Sequence, residues 1–406
     1  MIRRLKKYIK KNIGWIPFMF ALMYAMKVLG FIPLPIDMIG YALLIFTALY
    51  FLSKRANTDR LTMALLLFIP VSIVLASPDP VFRPWIRYIL FVLLLIVVSP
   101  LLNSTFAKKF RYKIMQGTML MCTAISALSF FAYFLGINYM RNQYDGSVLD
   151  YVSNTAGTFG GLTTQSMLLG PISGIGVVAS TYYALSKSRY KKYFYALAVM
   201  CAVTMLFAAS RSALISTICG VMALLYFYSS KKSIFTKRII AILFAGAITY
   251  PLWNSTLEGV NAKNMSSIGQ GLNKDSRSKK WKIRLAEFSE SPIWGVGFCS
   301  VTPRDNYNEN TGVIEPGSSW LAVLSMTGIV GFILFLSLYF RACLRTLYTY
   351  TPRGALLGSM LVLLGVHMFA EGHIFSGGSY LCYLVWLAIG TCTDYNPKVK
   401  VLRLSR

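Results

Sequence analysis

The sequence predicts an all-α fold: a polytopic integral membrane protein with about twelve transmembrane helices and one large polar loop between helices nine and ten. Three observations predict it. Hydrophobic residues make up 56% and charged residues only 14% of 406 positions, with a mean hydropathy of +0.56, a balance unlike that of soluble cores. Twelve apolar runs recur along the chain, each close to the ~17–25 residues a helix needs to cross a bilayer. Lys and Arg gather in every second connection between those runs, the asymmetry that marks cytoplasmic loops.

The chain starts with a basic stretch, residues 1–11, followed by an apolar run to about Ile32 with no small-residue cleavage site. This pattern predicts an uncleaved first span. The runs lie near 13–33, 36–52, 61–77, 85–102, 114–135, 166–185, 193–209, 212–228, 239–253, 320–340, 355–370 and 379–391. An even number of spans puts both termini on one face. With that face inside, the inner connections hold Lys54, Arg55 and Arg60; Lys108, Lys109, Arg111 and Lys113; Lys187, Arg189, Lys191 and Lys192; Lys231, Lys232, Lys237 and Arg238; and Arg341, Arg345 and Arg353. The short outer connections carry only Arg83, Arg87, Arg141 and Arg211. Three parts follow: 1–253 with helices one to nine, 254–319 as the large outer loop, and 320–406 with helices ten to twelve and a cytoplasmic tail.

The net charge of +27 is therefore chiefly a topology signal. It does not point to nucleic acid, because the basic runs sit between spans and lack a stacking platform of aromatics. Seven cysteines occur without a C-x-x-C pair or a His at ligand spacing, so neither a disulfide framework nor a zinc site is expected. A Walker loop and an Asp-rich pair for Mg²⁺ are absent as well, so any chemistry is expected to be metal-free, without a cofactor and not driven by ATP.

Two outer segments are long enough to build a site, Gly136–Gln165 and Asn254–Ser319. In the first, the glycine-rich stretch 156–161 is most simply a flexible turn. Gly170, Gly174 and Gly176 stand at helix-packing spacing, suited to close approach of span six to a neighbour. The second segment carries Lys274, Arg277, Lys279, Lys280, Lys282 and Arg284 almost back to back. Asp275 or Ser276 can cap a short helix there that runs to about Glu290, where Ser291 and Pro292 end it. At 100° per residue Arg277, Lys280 and Arg284 form one stripe, with Trp281 and Leu285 beside it. Such a helix suits a membrane surface, and it either docks on anionic headgroups or serves a site. Arg binds phosphate bidentately, which favours Arg277 and Arg284 over the lysines as diphosphate ligands. Arg211 lies in a turn between spans seven and eight so tight that it must sit at membrane depth, where a charge is costly and usually functional.

Four short stretches occur in order around the large loop: Ser210–Ser212 (SRS), Arg277 with Trp281 four residues on, Ser291–Gly297 (SPIWGVG), and Ser319–Gly331 (SWLAVLSMTGIVG). Their order and placement resemble the O-antigen polymerase and ligase superfamily, of Wzy and WaaL type. The spacing from Arg284 to Gly295 is also similar to an Arg-x10-Gly pattern of polymerase outer loops. The chain departs from the ligases at Pro316–Leu321, where those relatives carry a His-Asn pair and this sequence reads PGSSWL, with Glu315 just before. That departure favours a polymerase over a ligase.

The resemblance implies a glycosyltransferase of the bacterial inner membrane. Its donor is a glycan on undecaprenyl diphosphate, its acceptor a sugar hydroxyl, and its product O-antigen, capsular or exopolysaccharide on the periplasmic side; a ligase would instead deliver glycan to lipid A core of lipopolysaccharide. A chain-length regulator and a flippase are the implied partners besides membrane lipids. On this reading Arg211, Arg277 and Arg284 bind the diphosphate, and Lys280, Trp281 and Trp320 contact substrate. Glu371, His373 or Glu315 serves as the base for the acceptor hydroxyl. A carboxylate beside lipid has its pKa raised toward neutrality, which suits Glu371 to that task, although a helix-end carboxylate in water is the plain alternative. His367, inside span eleven, is most simply a packed helix residue. Tyr151, Tyr307 and Trp320 are aromatic candidates for stacking on sugars. A lipid-linked glycan transporter is the reading from a different class; it predicts repeats and midspan charges, and only Lys27 is of that kind here.

Overall fold

A computed structural model describes residues 13–32, 36–75, 83–140, 159–186, 189–229, 232–253, 276–300 and 317–397. Each apolar run of the sequence is a helix: α1 Trp15–Met26, α2 Ile36–Leu52, α3 Arg60–Val74, α4 Pro84–Val98, α5 Thr105–Phe134, α6 Ser166–Leu185, α7 Lys191–Phe207, α8 Arg211–Tyr228 and α9 Lys232–Trp253. The loop helix is α10, Ser276–Glu290, and the chain closes with α11 Ser319–Thr346, α12 Pro352–His367 and α13 Tyr380–Asp394. Among the described residues four helices, Thr105–Phe134, Ser166–Leu185, Arg211–Tyr228 and Ser319–Thr349, are long and apolar enough to cross a membrane. The mainly helical architecture with an apolar exterior is that of an all-α membrane protein. Large side chains such as Phe46, Leu67, Ile86, Ile215 and Ile333 lie exposed on the helices, a surface that lipid rather than water would cover.

Helix α13 is apolar all round and buried along nearly its whole length, so it forms the axis of the packing. Tyr383 stacks on Tyr24 of α1 at 4.2 Å, and Trp386 meets Phe91 of α4 and Phe335 of α11 at 5.5 and 5.8 Å. Small residues bring α6 against its neighbours: a Cβ on Gly170 would meet Ala213 at 2.7 Å, and one on Gly176 would meet the sulfur of Cys201 at 2.9 Å. Hydroxyls tie the same helices together, with Ser126 of α5 2.9 Å from Ser173 of α6 and Thr204 of α7 donating to the Ser126 carbonyl at 3.1 Å. These are the small and polar contacts that hold helices together where lipid removes the hydrophobic drive.

At the opposite end of the bundle from α10, the basic residues do more than set topology. Short strands β1 (Asn57–Thr58) and β2 (Leu102–Asn103) pair antiparallel. Asp59 caps α3 by accepting from the Thr62 amide and takes a bidentate pair from Arg341 at 2.8 and 2.7 Å. Burial raises the Asp59 carboxyl, but the bonds from Arg341 and Thr62 outweigh it and hold the group below its ordinary range. Arg111, expected as a loop charge, is fully buried on α5 and bonds Asp394 at 2.6 Å and the Leu102 carbonyl at 3.0 Å.

Helix α11 is broken. Gly328 has φ 60° and ψ −169°, a conformation reserved for glycine. Residues 291–297 fill the break: the Val296 amide donates to Ser325, the Gly297 amide to Met326, and the Ile329 amide to Pro292, at 2.8, 3.2 and 2.8 Å. Gly295, at φ 77°, lies so close that a Cβ there would meet the Met326 backbone at 2.4 Å. The freed backbone groups of a discontinuous helix are thus satisfied by another segment, as low-dielectric surroundings require. Trp294 then stacks on Phe68 of α3.

Candidate functional site

The site is built around the connection from α12 to α13, residues 368–379. Ser318 and Ser319 at the start of α11 clamp it: the Ser319 amide donates to the Met368 and Glu371 carbonyls at 2.8 and 3.0 Å, and its hydroxyl to Glu371 at 2.7 Å. The His373 amide donates to the Ser319 hydroxyl at 3.0 Å. From α13, Cys382 and Trp386 both donate to the Ile374 carbonyl. Lys27 holds the far end through the Gly378 carbonyl at 3.3 Å and lies 4.3 Å from the centre of the Tyr41 ring. It is the C-cap of α1.

Onto this pinned connection α10 delivers Arg277, whose Nη2 lies 2.7 Å from the Glu371 carboxylate. The basic stripe of α10 is therefore turned in part toward the protein. Arg277 and Lys280 are half-buried and Arg284 is buried, while Trp281 and Leu285 remain 39% and 49% exposed. Of the two roles open to the stripe, docking on headgroups and serving a site, the Arg277–Glu371 pair fits the second. Arg284 pairs with Glu287 one turn further along the same helix at 2.7 Å, with both side chains buried. Trp281 donates to the Gly317 carbonyl at 3.2 Å and keeps its ring accessible. Lys280 lies against Gly317, where a Cβ would meet the Lys280 side chain at 2.9 Å. Trp320 is half-buried: its indole donates to the Gly365 carbonyl at 2.9 Å, and its ring packs among Phe335, Tyr339 and Phe369.

Two imidazoles complete the arrangement. His367 and His373 have ring centres 5.6 Å apart; both are buried, and none of their four nitrogens has a protein partner. Burial, with His367 close by, holds His373 well below the ordinary histidine range, so the ring is neutral at pH 7. His373 lines a small cleft with Arg87, Cys299, Ala322, Met326, Gly372 and residues 374–376. Burial pushes the Cys299 thiol up to about 12, against the opposing influence of the adjacent Arg87 guanidinium. Arg87 was legible only as one of four outer charges; its place in the cleft was not. Among the described residues no group of three or more His, Cys, Asp or Glu could hold a metal ion.

Arg211 occupies the first turn of α8, exposed, after a turn of three residues in which Ala209 has φ 49°. Its end of the bundle follows from the packing. Thr217 faces Gly174 beside Leu363, and Gly220 faces Ser359 and Leu363, so α8 and α12 run antiparallel. Arg211, about 9 Å along the axis beyond Thr217, is thus at the His367 end with the rest of the site. Glu315, Lys274, Asp275, Arg141, Tyr151 and Tyr307 lie outside the described residues.

The class these features define is a many-helix membrane protein with an arginine–glutamate pair and two buried histidines at one end of the bundle. Residues 196–336 match the Wzy_C family, described as O-Antigen ligase, and this match supports membership of the O-antigen polymerase and ligase superfamily. The matched segment includes Arg211, Arg277, Arg284 and Trp320; Glu371 and His373 lie beyond it. No curated protein matches the chain significantly.

Proposed function

We propose that the chain is a polymerase that joins glycan repeat units carried on undecaprenyl diphosphate, working at the periplasmic face of a bacterial inner membrane. On this reading the twelve apolar helices all cross the bilayer, both termini are cytoplasmic, and residues 254–319 form the periplasmic loop. The observation that carries it is the convergence of Arg277, Glu371 and neutral His373 at the end of the bundle where Arg211 also lies.

In the reaction, the acceptor hydroxyl oxygen attacks the anomeric carbon of the donor sugar. The bond from that carbon to the phosphate oxygen breaks, and the lipid diphosphate leaves with the electron pair. Arg211 and Arg277 stabilise the charge that develops on the leaving group, since preorganised cations in a water-poor site serve a charged transition state best. His373 takes the proton of the acceptor, because its neutral ring offers a lone pair while the Glu371 carboxylate is engaged by Arg277. Glu371 compensates the imidazolium that results. Support also comes from Ser319: it stands in the PGSSWL stretch where ligase relatives carry His, and it holds the His373 backbone, so an imidazole reaches the same neighbourhood from another segment. Trp281, with its exposed ring, is the aromatic placed to contact sugar.

The description of the matched family as O-Antigen ligase favours a second reading, transfer of finished glycan to lipid A core. Purified protein given a synthetic lipid-diphosphate repeat unit separates the two. A ladder of lengths that disappears in Arg211→Ala supports the polymerase. Product formed only when lipid A core is added supports the ligase, and no bond formation with either acceptor overturns both.

A further inference from the structure

The cleft beside His373 has a cavity volume of about 20 Å³, enough for one water molecule and little else. Arg87 reaches it from α4, and the backbone of residues 372–376 forms another wall. His373 itself is only 5% exposed and no protein group bonds either ring nitrogen. A buried polar group of this kind is costly unless something completes it. We propose that one ordered water bridges Arg87 and His373, making Arg87 a positioning residue that decides which nitrogen of His373 carries its proton.

The direction of the hydrogen bonds follows from what each group can do. A guanidinium has five N–H donors and no acceptor. The water must accept from Arg87, which leaves both of its hydrogens to donate. In this bridge one of them goes to His373 and the other to a carbonyl of the connection, because a water polarised by a cation at its oxygen donates more strongly than it accepts a second bond. The His373 nitrogen that faces the cleft therefore presents a lone pair, and the proton of the neutral ring resides on the other nitrogen. A lone pair turned toward the cleft is the form a base needs, ready to take a hydroxyl proton through the water. The proposal rests on the reading of His373 as base for its purpose, but the tautomer itself is a property of the resting protein. Arg87 is also suited to the task by its invariant charge, since a residue that lost its proton could donate or accept and would leave the tautomer undefined.

The chain contains only two histidines, so uniform ¹⁵N-histidine labelling of the full-length protein in lipid nanodiscs yields two imidazoles, assigned with His367→Gln. At pH 7.5 the ¹⁵N shifts of His373 are expected to show one neutral tautomer in the wild type, both tautomers in Arg87→Met, and the single tautomer again in Arg87→Lys, which restores a donor. A mixture in the wild type overturns the proposal without any variant. An unchanged single tautomer in Arg87→Met also overturns it. The reading needs no substrate, so loss of the polymerase assignment and loss of the Arg87 assignment are separate results.

Discussion

Gly328→Ala tests the joint between α11 and the segment at 291–300. The backbone at φ 60° and ψ −169° excludes a side chain at a cost of about 1–3 kcal/mol. The new Cβ would also meet the Ile293 carbonyl carbon at 2.4 Å and the Gly295 nitrogen at 2.8 Å, backbone atoms that cannot rotate away. Relieving that overlap costs about 1–3 kcal/mol more. Displacing the segment breaks some of the three amide bonds that cross the joint, each worth about 0.5–1.5 kcal/mol. With one or two of those bonds lost the total is about 2.5–9 kcal/mol, large beside the stability of most folds. A thiol-reactive fluorogenic dye is a suitable reporter, because Cys299 is 5% exposed and sits in the displaced segment. Gly328→Ala is expected to label at Cys299 below the main melting transition, and Cys299→Ser should abolish that early signal. Wild-type melting with Cys299 still protected would refute the reasoning.

Other consequences follow from the buried charges. His373 is neutral in the fold because burial lowers its pKa from 6.5, so below that pH the unfolded chain binds a proton that the native one does not. Stability then falls as pH drops through the window between the two values, by about 1.4 kcal/mol per pH unit. Melting followed from pH 7.5 to 5.5 should show a steeper decline in the wild type than in His373→Gln, and parallel curves would count against a neutral buried ring. Arg284→Met strands the Glu287 charge inside and should cost about 3–5 kcal/mol, most of it recovered in Arg284→Met/Glu287→Leu; equal melting temperatures for the single and double variants would contradict the pairing. Trp320→Phe should lower the melting temperature while leaving the acceptor KM unchanged, and a tenfold rise in KM would restore it as a sugar contact.

Much of the architecture was legible in the sequence because it depends on hydropathy alone. The twelve apolar runs each became a helix, and Ser291–Pro292 ended α10 where a proline should. The start of α5 at Thr105 was less clear, since Lys108, Lys109, Arg111 and Lys113 resemble a loop until Asp394 is seen to hold Arg111. The site was only partly readable for the same reason. The residues Arg277, Glu371 and His373 stand out as charges or rare types in an apolar chain, but the bond from Arg277 to Glu371 joins positions 94 apart. A stripe of Arg277, Lys280 and Arg284 fixes one face of α10 without saying which way that face turns. Here the pair with Glu371 turns Arg277 inward, and Arg284 and Glu287 are buried together on the same helix. For Trp320 the sequence gives no sign of the Gly365 carbonyl that its indole meets or of the rings it packs among. The break at Gly328 carries no local mark, because glycine is common in membrane helices and the conformation depends on a segment some thirty residues earlier.

The central claim is that His373 receives the acceptor proton beside an arginine that stabilises the departing diphosphate. Its most direct test is the single-turnover rate of repeat-unit joining by purified protein in nanodiscs, comparing wild type, His373→Gln and Arg277→Ala on a synthetic lipid-diphosphate donor. Loss of the base is expected to lower the rate about 10²–10⁴-fold, and loss of the arginine about 10²–10³-fold, with both variants folded and His373→Gln retaining donor affinity. Joining at the wild-type rate by His373→Gln would contradict the account.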